Sequence, residues 1–165
     1  MACSKTETKG MHVPPHQLSS GRQLFEQLQA KRALEGVPQM PIAAERQQMP
    51  GFMLDRVDVL KDLKASPDNQ AAEPDGLLLK RPGFAMSGSI KGDKENGQFQ
   101  VATTQMDRAG NVQSETLDHQ EISNGQVVHY LVHMNHERIS ALVEHVDRHN
   151  PGNSWMQMQE WNLSH

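Results

Sequence analysis

The chain has almost no cysteine. Cys3 stands alone among 165 residues, so no internal disulfide can form and the fold must rest on packing, as in reducing-compartment proteins. Aromatic residues are scarce as well, at 4%, beside a hydrophobic fraction of 36% and a mean hydropathy of −0.68. Such values are low for a chain packed along its whole length, so part of it is expected to stay outside the core. No long apolar run occurs. The start, Met1 to Gly10, lacks the apolar segment of a secretory signal, and Ala2 stands where myristoylation requires glycine. We therefore expect no membrane insertion, and a protein that is cytoplasmic or secreted without a cleavable signal peptide. Asn162-Leu-Ser164 matches a glycosylation sequon, a chance match in that setting.

Excess positive charge is also missing. The net charge is −4, and no basic cluster is large enough to neutralise a run of phosphates, which argues against a nucleic-acid partner. The imbalance is local: residues 83–165 carry 5 Lys and Arg against 10 Asp and Glu, while residues 1–82 carry 11 against 10.

Catalytic signatures fail in turn. Gly88-Ser-Ile-Lys-Gly-Asp-Lys94 is too short for a phosphate loop and reads as a turn. No Gly-x-Ser-x-Gly elbow occurs, and Cys3 is poorly placed for a nucleophile so near the start. His119 or His129 with Glu121 on neighbouring strands could act as acid and base without any motif, but few cations surround them to stabilise a phosphodiester transition state. The chain reads more readily as a non-enzyme.

What is present lies mainly between Phe99 and Pro151. Asn124-Gly125 is the dipeptide best able to adopt positive φ at both central positions of a type I′ turn, whose twist suits a hairpin. Asp107 to Asn111, with Gly110, offers a longer hairpin loop, and Gly92 to Gly97 breaks the chain once more. These turns delimit strands at about Phe84–Ile90, Gln98–Met106, Val112–Ile122 and Gln126–Met134. The third is polar on both faces and is expected to be an edge strand or a twisted ribbon in water, burying little. After Met134, Asn135 reads as an N-cap with Glu137 in the first turn, and Ile139, Leu142, Val143 and Val146 recur at helical spacing. Asn150-Pro151-Gly152 stops that helix. A single helix from Ser123 to His149 is the competing reading. Trp155 to Trp161 alternates as a last strand.

The first 76 residues read as an arm. Ser20 to Gln23 suggests a capping box, with Leu24, Phe25 and Leu28 forming a narrow apolar stripe in a helix ending near Glu35. A second helix is expected from about Phe52 to Lys64, with Met53, Val57 and Leu60 on one face, and Asp68 to Gly76 has linker composition. Helices this short are marginal without a surface to pack on. That surface is either the chain's own sheet or a partner protein.

Seven of the nine histidines lie from His119 onward. On a helix, His145 and His149 would share a face and could hold zinc, although the glutamate of a zinc-peptidase helix is missing.

The sequence thus predicts an α+β fold: a four- to five-stranded antiparallel meander with one packed C-terminal helix in residues 77–165, preceded by a partly ordered helical N-terminal arm in residues 1–76. Its layout looks like that of many adaptor proteins and secreted bacterial effectors. The function expected is binding to another protein, through the arm (Leu24, Phe25, Leu28, Met53, Val57, Leu60) or an exposed sheet, without a cofactor. The alternative is a His-dependent metalloprotein or small hydrolase using zinc at His145 and His149.

Overall fold

A computed structural model describes residues 34–47 and 56–163. Its frame is one eight-stranded antiparallel sheet, in the order β1-β8-β7-β6-β5-β4-β3-β2. The strands are β1 (Met40–Pro41), β2 (Gly76–Arg81), β3 (Phe84–Gly92), β4 (Gly97–Met106), β5 (Val112–Ser123), β6 (Gln126–Asn135), β7 (Arg138–Asp147) and β8 (Trp155–Asn162). From β2 to β8 each strand pairs with the next, and β1 closes onto the far edge by pairing with β8. The helices are short: α1 (Ala44–Gln47) and α2 (Arg56–Ala65).

Local chemistry makes the hairpins. Asn124 and Gly125 both have positive φ, 51° and 78°, as a type I′ turn requires. Gly110 (φ 87°) closes the β4–β5 loop, where Asp107 Oδ1 accepts from the main-chain N–H groups of Ala109 and Asn111. Pro82-Gly83 joins β2 to β3 across the Arg81–Phe84 pair, a hairpin absent from the sequence reading.

Five expectations are corrected. The sheet has eight strands, not four or five. No C-terminal helix packs on it: residues 138–147 form β7, a strand between β6 and β8. The one-helix alternative for 123–149 fails for the same reason. The stripe taken as helical divides between two faces, with Ile139, Ala141 and Val143 on one and Leu142, Glu144 and Val146 on the other. Asn135 does use its side chain on following N–H groups, accepting from Glu137 at 2.8 Å and Arg138 at 2.9 Å, but it turns a hairpin instead of starting a helix. Nor is there a helical N-terminal arm among the described residues. Leu34 to Gly36 form a turn, α2 packs on the sheet, and the helix expected around Leu24, Phe25 and Leu28 lies outside the described residues, as does Met53. Finally, β5 is an interior strand and not an edge.

Two apolar layers flank the sheet. On the α2 face, Leu77, Leu79, Ile90, Phe99, Val101, Ile122, Val127 and Val146 pack with Val57 and Leu60 of α2 and with Ile42. On the opposite face, Leu117, Val132, Met134, Ile139, Ala141, Val143 and Trp161 pack with Leu34 and Leu163. A strand buried on both faces loses the alternation that marks a half-buried one.

Candidate functional site

Polar groups buried in the sheet are the first place to look for chemistry. On the α2 face, Asp118 of β5, His129 of β6 and Glu144 of β7 meet: His129 Nε2 is 2.6 Å from Asp118 Oδ1, and Nδ1 is 3.0 Å from Glu144 Oε1. Arg56, in the first turn of α2, reaches Asp118 Oδ2 at 2.6 Å. Burial alone would push the Asp118 carboxyl up, yet the hydrogen bond and charge of His129, with the Arg56 charge, hold it below its usual value. Burial likewise opposes charge on His129, and the hydrogen bonds to Asp118 and Glu144 outweigh it and raise the imidazole. Gln120 is wholly buried on the same face, with neither amide atom in a well-formed hydrogen bond.

This cluster is internally compensated. His129 is 2% exposed and both its ring nitrogens are engaged by carboxylates, so it presents no base to a substrate. Through the Arg56–Asp118 ion pair the cluster joins α2 to the middle of the sheet.

The other histidines are dispersed. His145 stacks on Trp155 with ring centroids 4.0 Å apart, and His149 lies beyond the end of β7, beside Gly125. The helix that would have aligned these two is absent. Among the described residues, no group of three or more His, Cys, Asp or Glu is arranged to hold a metal ion. His119 bridges Gln100 (3.0 Å) and Glu121 (2.9 Å). His133 accepts or donates at 2.8 Å to Thr116 Oγ1, and burial lowers its pKa. Among the described residues that pair is a hydroxyl beside a base, and no carboxylate there hydrogen-bonds to the ring to orient it.

Of the partner-binding residues expected from sequence, Val57 and Leu60 are buried against the chain's own sheet. Leu24, Phe25, Leu28 and Met53 lie outside the described residues.

The two ends of the sheet differ in kind. At the β2 end the free edge is blunted. Asn69 Oδ1 accepts from Leu78 N–H (2.9 Å), Gln70 N–H donates to Leu78 carbonyl (2.8 Å), and Asn69 Nδ2 donates to Gly76 carbonyl (3.1 Å). Lys80 and the Arg81–Asp68 ion pair add charge there. At the other end, β1 covers only Trp155 and Met156. Ile42 N–H donates to Ser154 carbonyl, so by alternation the even-numbered main-chain groups of β8 face away from β7. Those of Met158, Glu160 and Asn162 have no strand beside them among the described residues. Beside this bare edge, Met40 and Met158 are 44% and 47% exposed, flanking buried Met156 on the α2 face.

Comparison with protein-family models, with curated proteins and with solved structures finds no match for this chain. Function must therefore be argued from the site alone. No helix among the described residues is long and apolar enough to cross a membrane.

Sequence reasoning passed over Asp118 and Glu144 because single carboxylates in polar or mixed strands carry no motif. The open edge was partly signalled: Trp155 to Trp161 alternates with no proline and no lysine to blunt it.

Proposed function

We propose that the protein is a binding module that takes an extended segment of a partner protein as an additional strand along β8. The observation that carries this reading is Met158, an exposed apolar side chain on a strand edge that has no neighbouring strand beyond Met156 among the described residues. Strand addition draws affinity from main-chain hydrogen bonds and selectivity from side chains at alternate positions. Met158 and Glu160 offer both main-chain groups, and the flexible, polarizable side chains of Met40 and Met158 suit an apolar residue of the incoming strand. Glu160, and the acidic balance of residues 83–165, favour a segment that also carries Lys or Arg. The contrast with the blunted β2 edge supports the reading, since an edge that no described residue covers beyond Met156, in a protein that covers its other edge, invites a partner.

The test is site-specific photo-crosslinking in extracts of the source cells, from a photoreactive residue placed at Met158 and, as control, at Val59, which is 58% exposed on α2. Crosslinks to one partner from position 158 and not from 59, abolished by Glu160→Pro, are expected. Proline there removes an outward N–H and blocks strand addition while sparing the β7 pairing. Equal crosslinking from both positions, or indifference to Glu160→Pro, would sink the reading.

A further inference from the structure

β8 turns its outward main-chain groups toward the edge at Met158, Glu160 and Asn162, and β1 stops that edge at its near end. The stop is firmly held. Leu34 is 1% and Ile42 3% exposed, on opposite faces of the sheet, so the chain between them must cross the edge at Met40–Pro41. Gln157 Nε2 adds hydrogen bonds to the Val37 carbonyl at 2.6 Å and the Leu34 carbonyl at 3.3 Å. Glu160 is the one charged residue in β8. It lies on the α2 face beside Ser140, two residues from Met158, with its side chain 52% exposed.

An unblunted edge is open to a second copy of the same chain, which would pair through a two-fold axis with β8 antiparallel to β8. Register narrows the choice, because hydrogen-bonded pairs must match outward residue to outward residue. With the axis at Met158 or Gln159, Glu160 or Asn162 of one copy meets Met156 of the other, a place that β1 already holds. With the axis beyond Glu160, Met158 faces residues past the end of β8. Only the axis at Glu160 clears both copies of β1 and keeps Met158 within the pairing, opposite Asn162. It also sets Glu160 against Glu160, with Cα atoms about 5.5 Å apart. Like charges directly opposite across two strands destabilise the pair. Arg138 offsets this little: it lies on β7, its Nη1 is 3.9 Å from Glu160 Oε1, and both side chains are about half-exposed.

We propose that Glu160 sets the specificity of the β8 edge: its carboxylate turns away a second copy of this chain and admits a partner segment with Lys or Arg at the facing position. This rests on the strand-addition reading and says which strands that edge accepts. A single charge performs both tasks, since a cation opposite Glu160 is attracted where a carboxylate is repelled. Proline and lysine, common means of blunting an edge, are absent from β8, and either would also weaken the pairing of a basic partner.

The test is sedimentation velocity on the full chain in reducing buffer, which keeps Cys3 from linking copies. Expected are monomers for the parent chain and for Glu160→Lys alone, where like charges again face each other, and a dimer in their equimolar mixture. Glu160→Gln alone should also dimerise. Added salt should weaken the mixed dimer and not the Glu160→Gln dimer. Met158→Pro, which removes an outward N–H, should abolish both. A parent chain that dimerises, with Met158→Pro reversing it, overturns the role of Glu160 and leaves strand addition standing. A mixed dimer indifferent to Met158→Pro overturns it too. So does failure of both the mixture and Glu160→Gln to associate, and crosslinking from position 158 then decides strand addition separately.

Discussion

Asp118 Oδ1 sits 2.6 Å from His129 Nε2, both side chains withdrawn from solvent on adjacent strands, and Glu144 engages the second ring nitrogen from the third strand. A buried charge that loses its partner costs far more than the pair contributes when intact. His129→Ala leaves two carboxylates facing each other in the sheet, and we expect it to lower stability by about 3–5 kcal/mol in chemical denaturation. Asp118→Asn with Glu144→Gln and His129→Leu together removes the charges as a set and should cost clearly less. Comparable losses in the single and triple variants would show that the cluster matters only as packing.

The same cluster sets a pH window. Asp118 has a lowered folded pKa, so its contribution is present above the unfolded carboxylate value of about 3.9 and is lost as pH falls through the lowered folded value. His129 has a raised folded pKa, so its contribution is complete below the unfolded value of about 6.5 and is lost as pH rises through the raised one. Unfolding midpoints measured across pH should therefore fall at both ends, and the triple variant should flatten both limbs of this dependence.

Glu115 presents a different case. It is 1% exposed on the opposite face of β5, next to Leu117 and Met134, and its one side-chain hydrogen bond, from Thr104 Oγ1 to Oε1, is long at 3.5 Å. Burial pushes its carboxyl up to about 7, while the Thr104 bond acts weakly the other way. With a folded pKa above the unfolded one, stability is greatest below the unfolded value and declines as pH rises through about 7. Glu115→Gln should raise the unfolding midpoint at about pH 8 and leave it nearly unchanged at about pH 5, on the two sides of that transition. A gain of equal size at both values would rule out titration of Glu115 as the cause.

Turn geometry supplies a further prediction. A Cβ built on Gly125 would lie 2.4 Å from His149 Nε2, and φ there is +78°, so Gly125→Ala meets both a clash and an unfavourable backbone. A loss of about 1–3 kcal/mol is expected by denaturant unfolding. Gly110→Ala also has positive φ but meets nothing within 4 Å, so its loss should be smaller. If His149→Ala restores part of the loss at Gly125, the clash is the operative term.

How much of this was legible in the sequence depends on where each residue spends its hydrogen bonds. The Asn124-Gly125 and Asp107–Asn111 turns were readable because their side-chain and glycine chemistry is local. Asn135 and Asp147 were not, because an Asn or Asp oxygen that accepts from N–H groups two and three residues on serves a hairpin or loop as well as a helix start. In β7 the apolar residues fill both faces, so periods of two and of 3.6 fit equally. In β5 the failure is one of partners. Asp118 and Gln120 look solvated until β6, β7 and α2 bring His129, Glu144 and Arg56 against them. The outward set of Met158, Glu160 and Asn162 likewise exists only once the pairings of β8 are known.

α2 packs with the sheet core, although the linker composition of residues 68–76 marks a boundary between them. Val57 is 0% exposed and packs with the sheet core, whereas Val59, two residues away on the same helix, is 58% exposed. Lys94–Asp58 and Arg56–Asp118 ion pairs also join the helix to the strands and their loops, the first of them between exposed groups and so worth little. Val57→Ala should therefore cost about 1–3 kcal/mol through lost burial. Val59→Ala should lie within about 0.5 kcal/mol of the parent, since alanine is the better helix former and little burial is lost. Measured by denaturant unfolding with a probe in the sheet, such as Trp161 fluorescence, a loss at Val57 must appear in the main transition if α2 and the sheet unfold as one unit. A loss confined to a separate earlier transition would instead make residues up to 76 a unit that docks on the sheet without sharing its cooperativity.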